Sequence, residues 1–347
     1  MTELEAHPAW WSRVTALFEV FAVFLGGRVL SIFAARVTGL ASSKALISEI
    51  PEGGTPDFFG MAGITALELI LRYGIMFGLA FAVGWWHRRR RLARYGVTLA
   101  GTPASRQVGT GIILFAVIGL LPALLMLIQN HVSLGEGADH WTIFSYDWNV
   151  GFWVFMFVSS FGLVPIVEEL FTRGYFQTRL TEDLGPWTAI LITAVVFAFG
   201  HTQYYKLELL SLGMLFSIIF GSIVGGYIFY RTRSLVPVIV AHAIGNIPWK
   251  GVFDYLVPAL ALIIIVVYRR TIITAGKELF ATVRGTTRLP YLAGGVVIMA
   301  GVVVTLLLAQ NLLAGWAVVL VIIASVFLIR DRRLNVPIRH ESVDHRV

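Results

Sequence analysis

Apolar runs of about twenty residues recur along the whole chain, separated by short polar connections, and roughly that many apolar residues are what a helix needs to cross a bilayer. Ten candidate spans fall at about residues 14–34, 60–84, 107–129, 150–170, 186–203, 207–230, 234–247, 252–268, 289–309 and 312–329, the seventh being the shortest. The pattern predicts an all-α fold, a polytopic membrane helical bundle of about ten transmembrane helices. It divides into 1–149, N-terminal transmembrane helices and loops; 150–250, a core whose apolar runs carry charge; and 251–347, C-terminal transmembrane helices and a polar tail. No internal repeat and no soluble second domain stands out.

The informative residues are the polar ones inside apolar runs, because each ionised group there costs a few kcal/mol and needs a partner or a function. The first span holds Glu19 and Arg28, nine residues apart and hence on opposite helix faces, so each requires a partner on another helix. The second holds Glu68 and Arg72 at the i, i+4 spacing of a local ion pair. Both sets serve as bundle glue, or one of them lines a water-filled path or receives a substrate. The densest cluster is Glu168-Glu169-Leu170-Phe171-Thr172-Arg173, directly after the run Trp153–Val167, which has no charge.

Helix-compatible sequence continues past Glu168 through Thr181 to Gly185-Pro186, and Trp187–Gly200 is then apolar up to His201. A Gly-Pro step ends one helix and opens the next, which predicts a helical hairpin. Glu168 lies 17 residues before Gly185 and His201 lies 15 after Pro186, about 25 and 22 Å along the two arms. Arms of equal length set the two residues level and facing each other. A plain ladder of spans would place them near opposite membrane faces. The hairpin arithmetic instead carries the fourth helix well past its apolar core, with Arg173 and Arg179 on its polar side, and leaves the depth of the site open.

The seventh span, Leu235–Ile247, contains His242 and Asn246 at i, i+4, on one helix face and pointing at one neighbour, before Pro248. Of the eight histidines only His201 and His242 belong to apolar segments. A single buried His is ordinarily a packed, hydrogen-bonded core residue; two of them with a diacid and an Asn point to a site. These residue types suit acyl hydrolysis by an activated water. A desolvated Glu can take a proton from water and return it to a leaving amine. One imidazole can fix the water, while a second imidazole and an Asn amide can stabilise an oxyanion. Glu169 and Arg173, at i, i+4, can stay ionised and hold the helix geometry. Two competing readings of the same residues are a structural Glu169–Arg173 pair beside an idle, protonated Glu168, and zinc held by two His and a Glu with one open position. Against zinc, the HExxH helix signature is missing. Adjacent carboxylates differ by about 100° around a helix, so only one of Glu168 and Glu169 faces His201 well, and spacing does not say which.

Composition and charge narrow the picture. The chain is 57% hydrophobic and 14% charged, with a formal charge of +7. If the N-terminus is cytoplasmic, only Arg36, Lys44, Lys206 and Lys250 fall outside and Arg28 and Arg72 lie within spans, leaving 21 of the 27 Lys and Arg on the inner side. That is the positive-inside pattern, and it predicts cytoplasmic termini. The basic excess thus reports topology, and no nucleic-acid partner is expected. His87-Arg88-Arg89-Arg90-Arg91 would sit among anionic lipid headgroups as a topological anchor. The connection Asn130–Asn149 has no Lys or Arg and carries Trp141 and Trp148, which reads as an outer loop with an aromatic belt. Cysteine is absent, which excludes disulfides, thiolate metal sites and a Cys nucleophile. Met1–Arg13 lacks the basic start and small-residue cleavage site of a signal peptide.

Taken in order and on separate helices, Glu168-Glu169-x-x-x-Arg173, Phe197-x-x-x-His201 and His242-x-x-x-Asn246 resemble the motifs of the CPBP family of intramembrane proteases, which includes the type II CAAX prenyl endopeptidases and bacteriocin-processing relatives. The resemblance implies a CAAX-protease-like core and a metal-independent glutamic endopeptidase that needs no cofactor, zinc being the alternative from the residues alone. It implies that Glu168 activates the water with help from His201, that His242 and Asn246 form the oxyanion hole, and that Glu169 and Arg173 support the site. Phe197, one turn before His201, serves packing or substrate contact. The expected partners are a peptide or membrane-protein substrate and the lipids of a cell's inner (plasma) membrane. The helices after Tyr268 lie beyond the motifs. Two readings from other classes are a proton-coupled transporter with Glu168 and the histidines as relay, which lacks the matched broken helices of such proteins, and an idle scaffold that regulates a partner.

Overall fold

The computed structural model describes residues 10–40, 50, 54–88, 103–136 and 143–286. The ninth and tenth candidate spans, the C-terminal tail, the cluster from Arg89 onward and Trp141 lie outside the described residues. The described residues fold into helices with no strand among them, as the hydropathy pattern predicts. In chain order these are α1 (Trp10–Thr38), α2 (Phe58–Arg88), α3 (Ala104–Gln129), α4 (Val150–Leu184), α5 (Pro186–Phe199), α6 (Leu209–Thr232), α7 (Val236–Gly245), α8 (Phe253–Val267) and α9 (Arg269–Thr286).

Thr15–Thr38 of α1, Phe58–Val83 of α2, α3, α4 and α6 are each long and apolar enough to cross a membrane, which makes this a multi-pass membrane protein. The remaining predicted spans in this region, α5, α7 and α8, are helices of 14, 10 and 15 residues, shorter than the roughly 20 a crossing requires. α4 runs to Leu184, far beyond the apolar run that predicts it, as the hairpin arithmetic requires. Large apolar side chains such as Phe18, Val29, Ile70, Phe216 and Val267 stay more than half exposed, the arrangement of helices that turn apolar faces to lipid.

Two seams position the core stretch. On one, the N-terminal half of α4 packs on α2 and the 143–149 connection: Phe152 and Phe155 meet Phe58, and Trp148 stacks on Phe152 with centroids 5.1 Å apart. On the other, α7 packs on α3, with Leu114 and Phe115 against Val238 and Ala241. Gly111 makes the second seam possible, since a Cβ there would stand 2.7 Å from the Val240 side chain and 2.8 Å from the Pro237 carbonyl. Phe171 and Phe176 of α4 reach Phe24 of α1 in ring contacts of 6.2 and 6.3 Å.

Two contact-defined units divide the chain. One, Trp10–Ile272, holds all the helices from α1 to α8; the other includes Ile273 and the rest of α9. α9 alternates basic residues, Arg270 and Lys277, with exposed Ile273 and Phe280, consistent with a basic amphipathic segment.

Candidate active site

α4 is not a regular helix, and its sequence explains why. Pro165 supplies no N–H to the carbonyl four residues earlier and its ring crowds that turn. The chain answers with a π turn over Phe157–Phe161, closed by Gly162 N–H on the Phe157 carbonyl at 2.9 Å. A regular stretch, Leu163–Glu169, then delivers the two carboxylates, and a second π segment, Leu170–Gln177, follows at once. Such wide turns are frequent at functional sites.

The arm ends at Gly185, whose φ of +81° and ψ of 162° are open to glycine and little else, and Pro186 starts α5. The hairpin returns His201 to the level of Glu168. Both line one cavity of about 630 Å³, and the carboxylate is close enough to act electrostatically on the imidazole. The Nδ1 of His201 lies 2.9 Å from the Phe197 carbonyl. A carbonyl only accepts, so Nδ1 carries the hydrogen, and a neutral His201 keeps Nε2 as an acceptor.

The two adjacent acids have different surroundings. Glu169 is buried at 3% exposure and accepts from Arg173 Nη1 at 3.0 Å. It also accepts from His242, whose Nδ1 is 2.9 Å from the same oxygen, Oε1. Glu168, at 23% exposure, is the freer group: its Oε2 is 3.9 Å from His242 Nε2, and its Oε1 accepts from the Tyr73 hydroxyl at 3.3 Å. His242 thus lies between the two carboxylates, with its Nδ1 side committed to Glu169.

Arg173 and Arg179 depart from expectation. Both are buried, at 3% and 1%, rather than lying on a polar side of α4. Each is sheltered by fixed partners: Arg173 donates to Glu169, to Thr172 Oγ1 at 3.0 Å and to Ser222 Oγ on α6 at 2.7 Å. Arg179 pairs with Asp183 and, 2.6 Å away, with Glu19 of α1, which gives Glu19 the partner on another helix that it needs. Glu68 and Arg72 form their local pair, and both line the cavity. Phe197 is wedged among the polar groups, edge-on to His201 (4.9 Å) and His242 (5.9 Å), with the Arg173 guanidinium 4.6 Å above its ring.

Asn246 is the residue after the last turn of α7 rather than inside it. Its side-chain amide donates to the Ser160 carbonyl at 3.2 Å, and the Ser160 hydroxyl donates to the Asn246 carbonyl at 2.9 Å. His242 and Asn246 therefore do address one neighbour, α4, at two heights. The second N–H of the Asn246 amide remains, and the residue borders the cavity. All seven residues singled out from sequence, Glu168, Glu169, Arg173, Phe197, His201, His242 and Asn246, line this one cavity. Among the described residues, no group of three or more His, Asp or Glu is arranged to hold a metal ion.

Tyr73, Ser160 and Ser222 complete the site and carry no sequence signal of their own. Tyr73 follows Arg72 directly, so the charged turn of the second span was its only marker. Comparison with known proteins bears on this same stretch.

Residues 150–248 match the family model for Type II CAAX prenyl endopeptidase Rce1-like.

The match covers α4 to α7 with all three motifs, and it agrees with the family the motifs resemble. This stretch is thus similar to a family of membrane proteases. Neither a curated protein nor a solved structure matches the chain.

Proposed function

We propose that the chain is a metal-independent intramembrane endopeptidase, with Glu168 as the general base, acting on a peptide or membrane-protein segment at the inner (plasma) membrane. The observation that carries this reading is the convergence of Glu168, His201 and His242 on one cavity, with Glu169 and Arg173 locked together beside it.

The geometry supports the following sequence of events. A water accepted between Glu168 and the free Nε2 of His201 loses a proton to Glu168 as its oxygen attacks the scissile carbonyl carbon. The carbonyl oxygen becomes an oxyanion, stabilised by the remaining N–H of Asn246 and by His242. With its Nδ1–H given to Glu169, His242 can donate to the oxyanion from Nε2 only as the imidazolium. The C–N bond then breaks as Glu168 returns its proton to the leaving amine. Phe197 and Arg173 hold the two imidazoles in position.

Cleavage of a quenched fluorescent peptide library by the purified protein in detergent tests this reading. Chelator-resistant cleavage that disappears in Glu168→Gln is expected. Unchanged cleavage in Glu168→Gln refutes Glu168 as base, and loss on chelation with recovery on adding zinc refutes metal independence.

A further inference from the structure

Four arginines, Arg28, Arg72, Arg173 and Arg179, lie more than a turn inside the ends of the membrane-spanning helices, and three of them have carboxylate partners: Arg72 has Glu68, Arg173 has Glu169, and Arg179 has Glu19 and Asp183. The fourth, Arg28, is near the middle of the apolar window Thr15–Thr38 and makes no hydrogen bond or ion pair with any described residue through its side chain. Its guanidinium sits 5.2 Å from the centroid of the Phe24 ring, on its own helix, and borders the same cavity as Glu168. A cation within a membrane span is expensive and is kept for a partner or a pathway. Here the carboxylate partner that three sister arginines possess is missing among the described residues.

Glu168 does not pair with it directly: its carboxylate meets Tyr73 and His242, and acts on Arg28 only through space. Arg72, within electrostatic range of Arg28, adds positive potential to this end of the cavity, offset in part by the Glu168 carboxylate. A guanidinium presents a planar fork of donors matched to a carboxylate.

We propose that Arg28 is the anchor for a carboxylate of the peptide that occupies the cavity, either its free C-terminus or an acidic side chain. This inference rests on the protease reading for the identity of the occupant. It makes α1 a specificity element: it holds one end of the chain while Glu168 and the histidines act on a bond elsewhere along it.

The test measures binding, not turnover. In the Glu168→Gln protein, anisotropy is measured for fluorescein-labelled Ala-Leu-Val-Leu-Ala as the free acid, as the C-terminal amide, and as the amide with Glu replacing the central Val. One acidic form should bind about tenfold tighter than the neutral amide, the worth of one charge-assisted hydrogen bond or more. Arg28→Gln should abolish that preference and Arg28→Lys retain part of it. Preference for the free acid identifies the C-terminus as the group held, and preference for the internal Glu identifies a side chain. Equal binding of all three peptides, no binding of any, or a preference that survives Arg28→Gln overturns the proposal. If Arg28→Gln fails to fold, the three-peptide comparison on the protein with Arg28 intact decides alone, a tie overturning it. Full cleavage by Glu168→Gln would refute the catalytic assignment without touching this result, so the two failures are distinguishable.

Discussion

Two glutamate–arginine pairs at the same i, i+4 spacing sit in very different surroundings, and comparing them isolates the effect of burial. Glu169–Arg173 is buried, both side chains at 3% exposure, whereas Glu68 and Arg72 are exposed at 21% and 38%. Arg173→Met leaves the Glu169 carboxylate inside the bundle without its guanidinium and strips Ser222 of a partner. Breaking a buried pair from one side costs roughly 3–5 kcal/mol. His242 still bonds to Glu169, so the expected loss is at the lower end, about 3 kcal/mol. Arg72→Met removes a partly exposed partner and should cost about 0–1 kcal/mol. Glu169→Gln/Arg173→Met, which removes the stranded charge, should recover part of the single-variant loss. The assay is unfolding in mixed micelles titrated with a denaturing detergent and followed by tryptophan fluorescence. Equal losses for Arg173→Met and Arg72→Met, or a double variant as unstable as the sum of its singles, would refute the argument that burial of the Glu169 charge sets the cost.

Two further outcomes follow from other parts of the molecule. Gly185→Ala forces a side chain onto a backbone conformation that only glycine adopts readily, and should lower stability by about 1–3 kcal/mol in the same micelle titration. Asn246→Ala removes the proposed oxyanion donor and should reduce kcat by about 10²–10³ with KM little changed, read on a peptide the native protein cleaves; a change confined to KM would remove Asn246 from that role.

The legible parts of this fold are those that depend on local chemistry. Hydropathy locates the helices α1 to α8, and the Gly185-Pro186 step with arms of equal length brings Glu168 and His201 to one cavity. The i, i+4 rule gave both glutamate–arginine pairs. Helix ends were less legible from hydropathy alone, which marks where residues prefer lipid and not where backbone hydrogen bonding stops: the apolar span of α4 ends at 170, and only the Gly185-Pro186 step announces the 14 residues that follow. The burial of Arg173 and Arg179 was hidden for a related reason. A long polar side chain counts as exposed until its carboxylate partners are known, and Glu19 is 160 residues away from Arg179 in the chain. Tyr73, Ser160 and Ser222 were illegible because an isolated hydroxyl in an apolar helix is ordinary. Only folding reveals which such groups meet Glu168, Asn246 and Arg173.

The pairing of Ser160 with Asn246 runs in both directions, each side chain giving a hydrogen to the other's backbone carbonyl. A single bond would act as a swivel; two opposed ones act as a latch that stops both rotation and sliding of the end of α7 against α4. With the His242–Glu169 bond one turn away, the proposed base and oxyanion donors are mounted on one jig. A substrate must therefore adapt its own backbone to that jig. Sequences that bend easily should be cut and stiff helical ones spared, so that selection among membrane segments is exercised through the helix stability of the substrate as well as through its side chains.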